Sequence, residues 1–357
     1  MKKYFIFLAS AAMLLATSCA KEEVNTTGET ELITVQLNPE TKTALGAEGT
    51  TTWDADDKVS VTVGGEVVGT LSLVEGSTFS GEITAGLNGE ATLNYPAGVT
   101  AIPEPQAAVN KSFADGAALL EGTTTVEALR AGEGVELKNK TALLQFTVAQ
   151  AGDVTFEVGK AKYTVTGCKT GGTYYACVAP ASNVAFTARI GGYLSRKASS
   201  NVTFTANKIA NLETLPAPEK FEWGIVGQHQ GWDITNPTPM YKVDNNVYAV
   251  LNIKLEDNGF KFAKNGLKNW TTANTTFGAW QKSVGKDYFD FMTEMAEGAW
   301  YGNPLYSDNA SNDQQNIGVS DFSKNYDVYI RLYGSGDWGI GVKYTVVSTG
   351  TKVTYPN

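Results

Sequence analysis

The 357 residues predict an all-β protein made of two β-sandwich domains in tandem. Three observations lead there. Short apolar runs with a two-residue period recur along the chain, the spacing of strands that bury one face. Glycine and asparagine punctuate the runs, which is turn chemistry. A proline-rich break, Leu215-Pro216-Ala217-Pro218, separates two such series, because two prolines at i and i+2 hold the backbone extended and remove two donors.

The elements follow in chain order. Residues 1–18 read as a secretory leader, with Lys2 and Lys3 as its basic start and a mostly apolar run too short for an ordinary membrane-spanning helix. Residues 19–30 are polar and read as a flexible tether. The first sandwich is expected over 31–215. It opens with the β-rich run 32–37, and Val59, Val61 and Val63 then alternate with Lys58, Ser60 and Thr62. The run 142–148 is another strand. The runs 183–187 and 201–205 look alike and are expected as neighbours in a sheet. Residues 107–120 hold one helical turn at most. After the linker at 216–220, the second sandwich is expected over 221–357. Its strands are 223–226, 247–253, 260–262, 326–332, 338–347 and 353–355. Tyr288, Phe291, Met292 and Met295 fall at i, i+3, i+4 and i+7, which predicts a short amphipathic helix over 287–297 packed on the sandwich.

Composition narrows the function. The formal net charge is −9, which opposes a nucleic-acid partner. There is one histidine, so a multi-histidine metal site is excluded and any histidine-based catalysis must use His229. That residue sits in the polar run Gly227-Gln228-His229-Gln230-Gly231, which reads as a solvent-exposed loop. Asp54, Asp56 and Asp57 read as a solvated acidic turn, since the loop lacks the glycine and terminal glutamate of a calcium-binding EF-hand. There is no phosphate loop and no dinucleotide fingerprint. The sequence therefore points to no cofactor, no metal and no catalytic pair. Cys168 and Cys177 flank a Gly-Gly turn between two strand-like runs, and either a cross-strand disulfide or two buried thiols fits them.

Six of the seven tryptophans lie beyond residue 220. Too many for one small core, several indoles are expected at the surface, where a flat apolar face covers the CH face of a sugar. Trp270 follows the polar turn 266–269 and is the first candidate. Trp232, in Gly231-Trp232-Asp233, is the second, and Trp280 is held in reserve. Trp223 and Trp338 alternate with strand residues and are expected in the core. Lys261 is expected to point away from Phe260 and Phe262, free to reach a ligand, with Lys264 and Asn265 at the strand exit. One indole covering about 100 Å² contributes at most ~2.5 kcal/mol. A millimolar dissociation constant needs about 4 kcal/mol, so a second ring and hydrogen bonds are required.

Resemblances sharpen this reading. Leu15-Ala16-Thr17-Ser18-Cys19 resembles a bacterial lipobox, which implies diacylglycerol on Cys19, and Lys21-Glu22-Glu23 resembles the export signal of Bacteroidetes surface lipoproteins. Thr41-Lys42-Thr43-Ala44-Leu45, Trp53, Asp57-Lys58-Val59-Ser60-Val61, Phe79-Ser80-Gly81-Glu82-Ile83, Leu93-Asn94-Tyr95-Pro96-Ala97 and 174–180 come in an order that resembles the fimbrillin-like proteins of Bacteroidetes. Some of those polymerise into pili by strand exchange. No arginine stands between Cys19 and the first strand, where some pilins are cut, so a spacer or adhesive stalk is expected here. Trp223-Gly224-Ile225-Val226-Gly227, Gly231-Trp232-Asp233, Gly259-Phe260-Lys261-Phe262, Asn269-Trp270 and Asn316-Ile317 resemble the carbohydrate-binding modules of the SusE and SusF lipoproteins. That resemblance implies an immunoglobulin-like sandwich that binds polysaccharide without cleaving it. Ala263 stands where related modules often carry a basic residue, which weakens the case for starch itself.

The sequence thus predicts a non-catalytic, lipid-anchored outer-membrane protein whose partner is a polysaccharide or oligosaccharide at the cell surface. The alternative is a fimbrillin-like adhesin or pilus accessory subunit. Other glycan-uptake or fimbrial proteins are the expected protein partners.

Overall fold

A computed structural model describes residues 28–39, 53, 55–108, 118–256, 259–266, 321–336 and 339–355, with short pieces between 276 and 319. The leader, Cys19, Trp270, Trp300, Trp338 and the expected helix at 287–297 lie outside the described residues. The chain is all-β, as the sequence predicts. No helix among the described residues is long and apolar enough to cross a membrane.

Strands β1 (Thr30–Pro39), β2 (Lys58–Val63), β3 (Glu66–Glu75), β4 (Thr78–Thr84) and β5 (Glu90–Tyr95) begin a closed barrel. Strand β6 (Gln106–Ala107) leaves it for the next layer. Strand β7 (Leu120–Thr125), helix α1 (Val126–Arg130) and strand β8 (Val135–Asn139) then complete it, in the order β1-β4-β3-β2-β5-β7-β8. Closure rests on β1. It pairs antiparallel with β4 from Thr30 to Gln36 and then parallel with β8 from Leu37 onward. Its alternation puts Ile33, Val35 and Leu37 inside with Phe79, Leu93 and Leu137. Strands β3 and β4 cross too closely for side chains. A Cβ at Gly81 would stand 2.1 Å from the Thr70 carbonyl oxygen, and one at Gly69 would stand 2.3 Å from that of Glu82. The two glycines make this barrel corner. Helix α1 is capped by Thr125, whose hydroxyl accepts from the Ala128 N–H at 3.2 Å. Its Arg130 clamps Glu31 of β1 through two hydrogen bonds of 2.7 and 2.8 Å, holding that carboxyl below its usual range.

A sandwich follows: β9 (Ala142–Val148), β10 (Gly152–Val158), β11 (Ala161–Cys168), β12 (Thr173–Val178), β13 (Ala181–Ile190), β14 (Tyr193–Phe204) and β15 (Ile209–Leu215). One sheet runs β14-β13-β10-β11-β6, the other β12-β9-β15. Between them lie Phe146, Phe156, Phe186 and Phe204. The look-alike runs are neighbours as expected, with Val184 opposite Val202. The stretch 31–215, expected as one sandwich, thus holds two separate cores. Alternation marks an inward face on each strand. It does not say which strands share a core.

The last unit contains β16 (Lys220–Gly227), β17 (Thr238–Asp244), β18 (Val247–Lys254), β19 (Phe260–Lys264), β20 (Thr276–Phe277), β21 (Ala279–Trp280), β22 (Tyr301–Gly302), β23 (Gln314–Gln315), β24 (Asn325–Gly336) and β25 (Gly339–Ser348). Eight of these form one sheet, β20-β19-β16-β17-β18-β24-β25-β22, and β21 pairs with β23. One face of the sheet packs Phe221, Ile225, Tyr248, Val250, Phe260, Phe262, Val328 and Ile330 into a core, with Trp223 half-buried against it as its alternation predicts. The other face packs Val243, Val247, Ala249, Tyr329 and Val347 around Tyr193 of the sandwich. Residues 353–355, expected as a strand, form no strand, and Val353 and Tyr355 pack on this second face instead.

The sandwich and the last sheet are joined there. The Tyr193 hydroxyl accepts a hydrogen bond from the Leu251 N–H at 3.1 Å, and its ring centre lies 5.1 Å from that of Tyr241. Arg189 donates to the Val243 carbonyl at 2.8 Å, and Lys197 pairs with Asp244. The proline segment is clamped from both sides. Ser195 donates to the Pro216 carbonyl at 2.7 Å, while Glu219 accepts from Lys242 at 2.6 Å and from the Tyr248 hydroxyl at 2.9 Å.

Candidate functional site

The loop between β16 and β17 carries the candidate site. It starts at Gly227, where the chain passes so close to β19 that a Cβ would stand 2.4 Å from the Gly259 carbonyl oxygen. A 3-10 turn follows over Gln228–Gln230 and ends at Gly231, which takes a left-handed φ of 71°. Trp232 is left-handed too, with φ 59°. A bulky residue in that region is strained, and strain of this kind gathers at binding sites.

Hydrogen bonds hold the strained turn. The Trp232 N–H donates to the Gly227 carbonyl at 2.9 Å, and its indole Nε1 donates to the Gln228 side-chain oxygen at 3.1 Å. The Gln230 amide closes a two-way pair with the Asp233 backbone, at 2.8 and 2.6 Å. The Asp233 carboxylate accepts from the Thr235 hydroxyl at 2.6 Å and N–H at 2.9 Å, and these bonds hold it below its usual range. Ile234 anchors the loop against Val226 and Ala263. The indole is half-buried, and its N–H is already engaged within the loop. What it has to offer a ligand is its apolar surface.

His229 corrects the expectation of an exposed loop residue. It is half-buried, its Nε2 lies 3.0 Å from the Thr238 hydroxyl, and its Nδ1 is buried over Gly227 without a hydrogen-bond partner. Burial pushes its pKa down from 6.5 to about 4. The ring is therefore neutral near pH 7 and serves to shape the loop.

The other sequence candidates separate. Lys261 pairs in register with Val226, and alternation puts it on the face of Val226 and Ala263, the face on which Ile234 seats the loop. It is half-buried, and burial lowers its pKa. The sheet face that seats the Trp232 loop thus carries Lys261. Asn265 does not serve as expected. Its side chain donates to the Phe221 carbonyl and its N–H to the Glu222 carbonyl, each at 2.9 Å, so it caps β19 against β16. Lys264 ends β19 opposite Trp223, and Trp280 lies in β21 opposite Gln314, the side chains of both lying outside the described residues. Sequence reasoning missed Gln228 and Gln230, which brace the Trp232 turn. Their only signal was their place between two glycines.

Cys168 and Cys177 are free, buried thiols. The Gly-Gly turn between them is a crossover: β11 belongs to one sheet of the sandwich and β12 to the other. Cys168 lies in the sandwich core, whereas Cys177 packs with Ala118 and Leu143 on the opposite side of its strand. Burial raises the thiols to about 11 and about 12, well outside nucleophilic range at neutral pH. Asp57, one of the acidic-turn residues, accepts from the Tyr95 hydroxyl at 2.9 Å. Among the described residues no three histidine, cysteine or acidic side chains are grouped to hold a metal ion.

No family model matches the chain, and no curated relative matches it. Among solved structures it is similar to a candidate cell adhesion protein of Bacteroides ovatus, at 12% identity and TM-score 0.35, over 52% of this chain and 92% of that one. It is similar to a fimbrial protein of the same species, at 12% identity and TM-score 0.29, over 53% of this chain and 52% of that one. A candidate cell adhesion protein of Bacteroides thetaiotaomicron gives 13% identity and TM-score 0.29, over 50% and 92%. These figures describe a partial likeness of chain path over about half the protein.

Two outcomes test the loop. If Trp232 is held in a strained backbone to present its ring, Trp232→Gly keeps or raises the melting temperature, while Trp232→Val lowers it, since a β-branched residue resists this conformation. Equal losses in both variants, read by calorimetry, would mean the ring is a core element. His229 gives the second. Its pKa is depressed in the folded state, so its contribution to stability is complete above 6.5 and declines as pH falls toward 4. Melting curves between pH 7 and 4 are expected to show the parent losing stability relative to His229→Gln. A constant difference across that window would contradict the burial of the ring.

Proposed function

We propose that this protein is a non-catalytic adhesin of the bacterial cell surface, and that the Trp232 loop of its last sheet is the element that grips saccharide. The observation behind this reading is the loop itself. A large indole is kept half-open in a backbone conformation that costs about 1–3 kcal/mol, in a loop seated on the sheet face that carries a partly desolvated lysine. A merely structural turn at that point would be satisfied by glycine.

The fimbrillin-like order of motifs supports an adhesive role for the N-terminal units, and the resemblance of residues 15–19 to a lipobox supports display from a lipid on Cys19. The term adhesin follows the Bacteroides proteins of partly similar chain path, but the reading rests on the loop. A single ring gives weak affinity, at most ~2.5 kcal/mol by area. Many copies on one cell raise the effective concentration of such sites, so modest contacts hold a cell to a surface. A second reading, a polysaccharide-capturing component of a glycan-uptake system, shares the same site and draws on the SusE/SusF-like motifs.

Affinity electrophoresis of the full chain in gels with starch, plant β-glucan and mucin glycans tests the proposal. Retardation in at least one gel, lost in Trp232→Gly, is expected. Retention by mucin glycans favours adhesion, and retention by starch favours uptake. Unretarded migration in every gel contradicts both.

A further inference from the structure

A concave site lies away from the Trp232 loop, where the barrel meets the sandwich. It is a cleft of about 730 Å³, within the range of small-molecule and oligosaccharide pockets. Strands β7 and β8 line one side with Thr123, Thr124, Glu136 and Lys138, and the sandwich turns supply Asn207 and Lys208 on the other. The walls are preformed, because one short segment ties them together. The Lys140 N–H donates to the Leu119 carbonyl at 2.8 Å, the Asn207 N–H to the Thr141 carbonyl at 2.9 Å, and the Leu143 N–H to the Lys208 carbonyl at 3.0 Å.

Charge in this cleft runs against the rest of the chain. The protein carries a net −9, yet the lining holds Lys138, Lys140 and Lys208 against Glu121 and Glu136. Lys140 and Glu121 neutralise each other at 2.9 Å. Lys138, Lys208 and Glu136 remain, a net of one positive charge, and neither lysine has an ion pair among the described residues. Two ammonium groups in one concavity focus positive potential where a carboxylate gains charge-assisted hydrogen bonds. The remaining lining mixes the hydroxyls of Thr123 and Thr124, the amides of Asn139 and Asn207 and the Glu136 carboxylate with Val135, Pro180, Ala206 and glycine backbone, and it has no aromatic ring. Such a surface both donates to and accepts from hydroxyl groups, and its small apolar parts suit the CH faces of a sugar. An extended peptide would dock by adding a strand, but the barrel is closed and β7 and β8 already pair within it.

We propose that this cleft binds an acidic oligosaccharide, its carboxylates between Lys138 and Lys208 and its hydroxyls on Thr123, Thr124, Glu136 and Asn207. The site is separate from the saccharide grip assigned to Trp232 and does not depend on it.

Isothermal titration of the full chain with trigalacturonate tests the assignment, with maltotriose as the uncharged sugar and pentaglutamate as the acidic peptide. Trigalacturonate is expected to bind, to weaken as salt is added, and to lose roughly tenfold or more in affinity in Lys138→Ala/Lys208→Ala. Both lysines are exposed, so the variant keeps its melting temperature. Trp232→Gly is expected to bind trigalacturonate like the parent, which keeps this test apart from that of the loop. No heat with trigalacturonate, undiminished affinity in the double variant, or equal binding of maltotriose or pentaglutamate would overturn the proposal.

Discussion

The last sheet of this protein is buried on both faces at strand β18, and much else follows from that. Tyr248 and Val250 of β18 face one core, whereas Val247, Ala249 and Leu251 face the sandwich. A strand buried on one face alone has a hydrated side and tolerates polar residues there. A strand buried on both must be apolar at successive positions, and Val247-Tyr248-Ala249-Val250-Leu251 is. Each fully buried aliphatic side chain contributes about 1.5–3 kcal/mol, so the second face is not a marginal contact. The exposed part of the junction, Lys197 with Asp244, contributes little by itself and serves to fix orientation.

This junction makes the segment around Pro216 and Pro218 a strut. Ser195 holds its start and Glu219 its end. The sheet that carries the Trp232 loop is therefore set at a defined angle to the sandwich, with no swing about a tether. Within that sheet, strands β16 and β19 are drawn together at Gly227, and the loop springs from the point of closest approach. Its shape is then over-determined by Gln228, Gln230, Asp233 and the neutral His229. A rigid frame around one strained aromatic residue is what preorganised recognition requires, because ordering costs are met during folding.

Much of the fold was legible in the sequence, though not all for the same reason. Strands β1, β9, β16, β18 and β19 announced themselves by apolar period, and the β13–β14 pairing by matched runs. Strand β17 did not, because Thr238-Pro239-Met240-Tyr241 carries a proline and no clear alternation. Barrel closure was hidden as well. It joins Leu37 to Val135 in parallel, a contact between residues far apart that leaves no local trace. The Gly-Gly turn after Cys168 illustrates a different limit. The same turn residues serve a hairpin and a crossover, so the two cysteines looked like cross-strand partners when they sit in opposite sheets. Around the Trp232 loop, the loop position of Trp232 and the turning of Lys261 away from Phe260 and Phe262 were readable from motif and alternation. Asn265 looked like a ligand donor because a polar residue at a strand exit has the same appearance whether it reaches outward or caps its neighbour. His229 looked exposed because its flanking residues are polar, while its burial comes from Gly227 and Thr238, which only the fold brings over it.

The union of sandwich and sheet is tested most directly by hydrogen exchange on the full chain, followed at the Leu251 amide, which donates to the Tyr193 hydroxyl. Slow exchange at Leu251 and across β18 is expected, with Tyr193→Ala accelerating β17, β18 and β24 while the barrel amides stay as they were. Rapid exchange at Leu251 in the parent, or no change in β18 on removing the Tyr193 ring, would contradict the doubly buried strand.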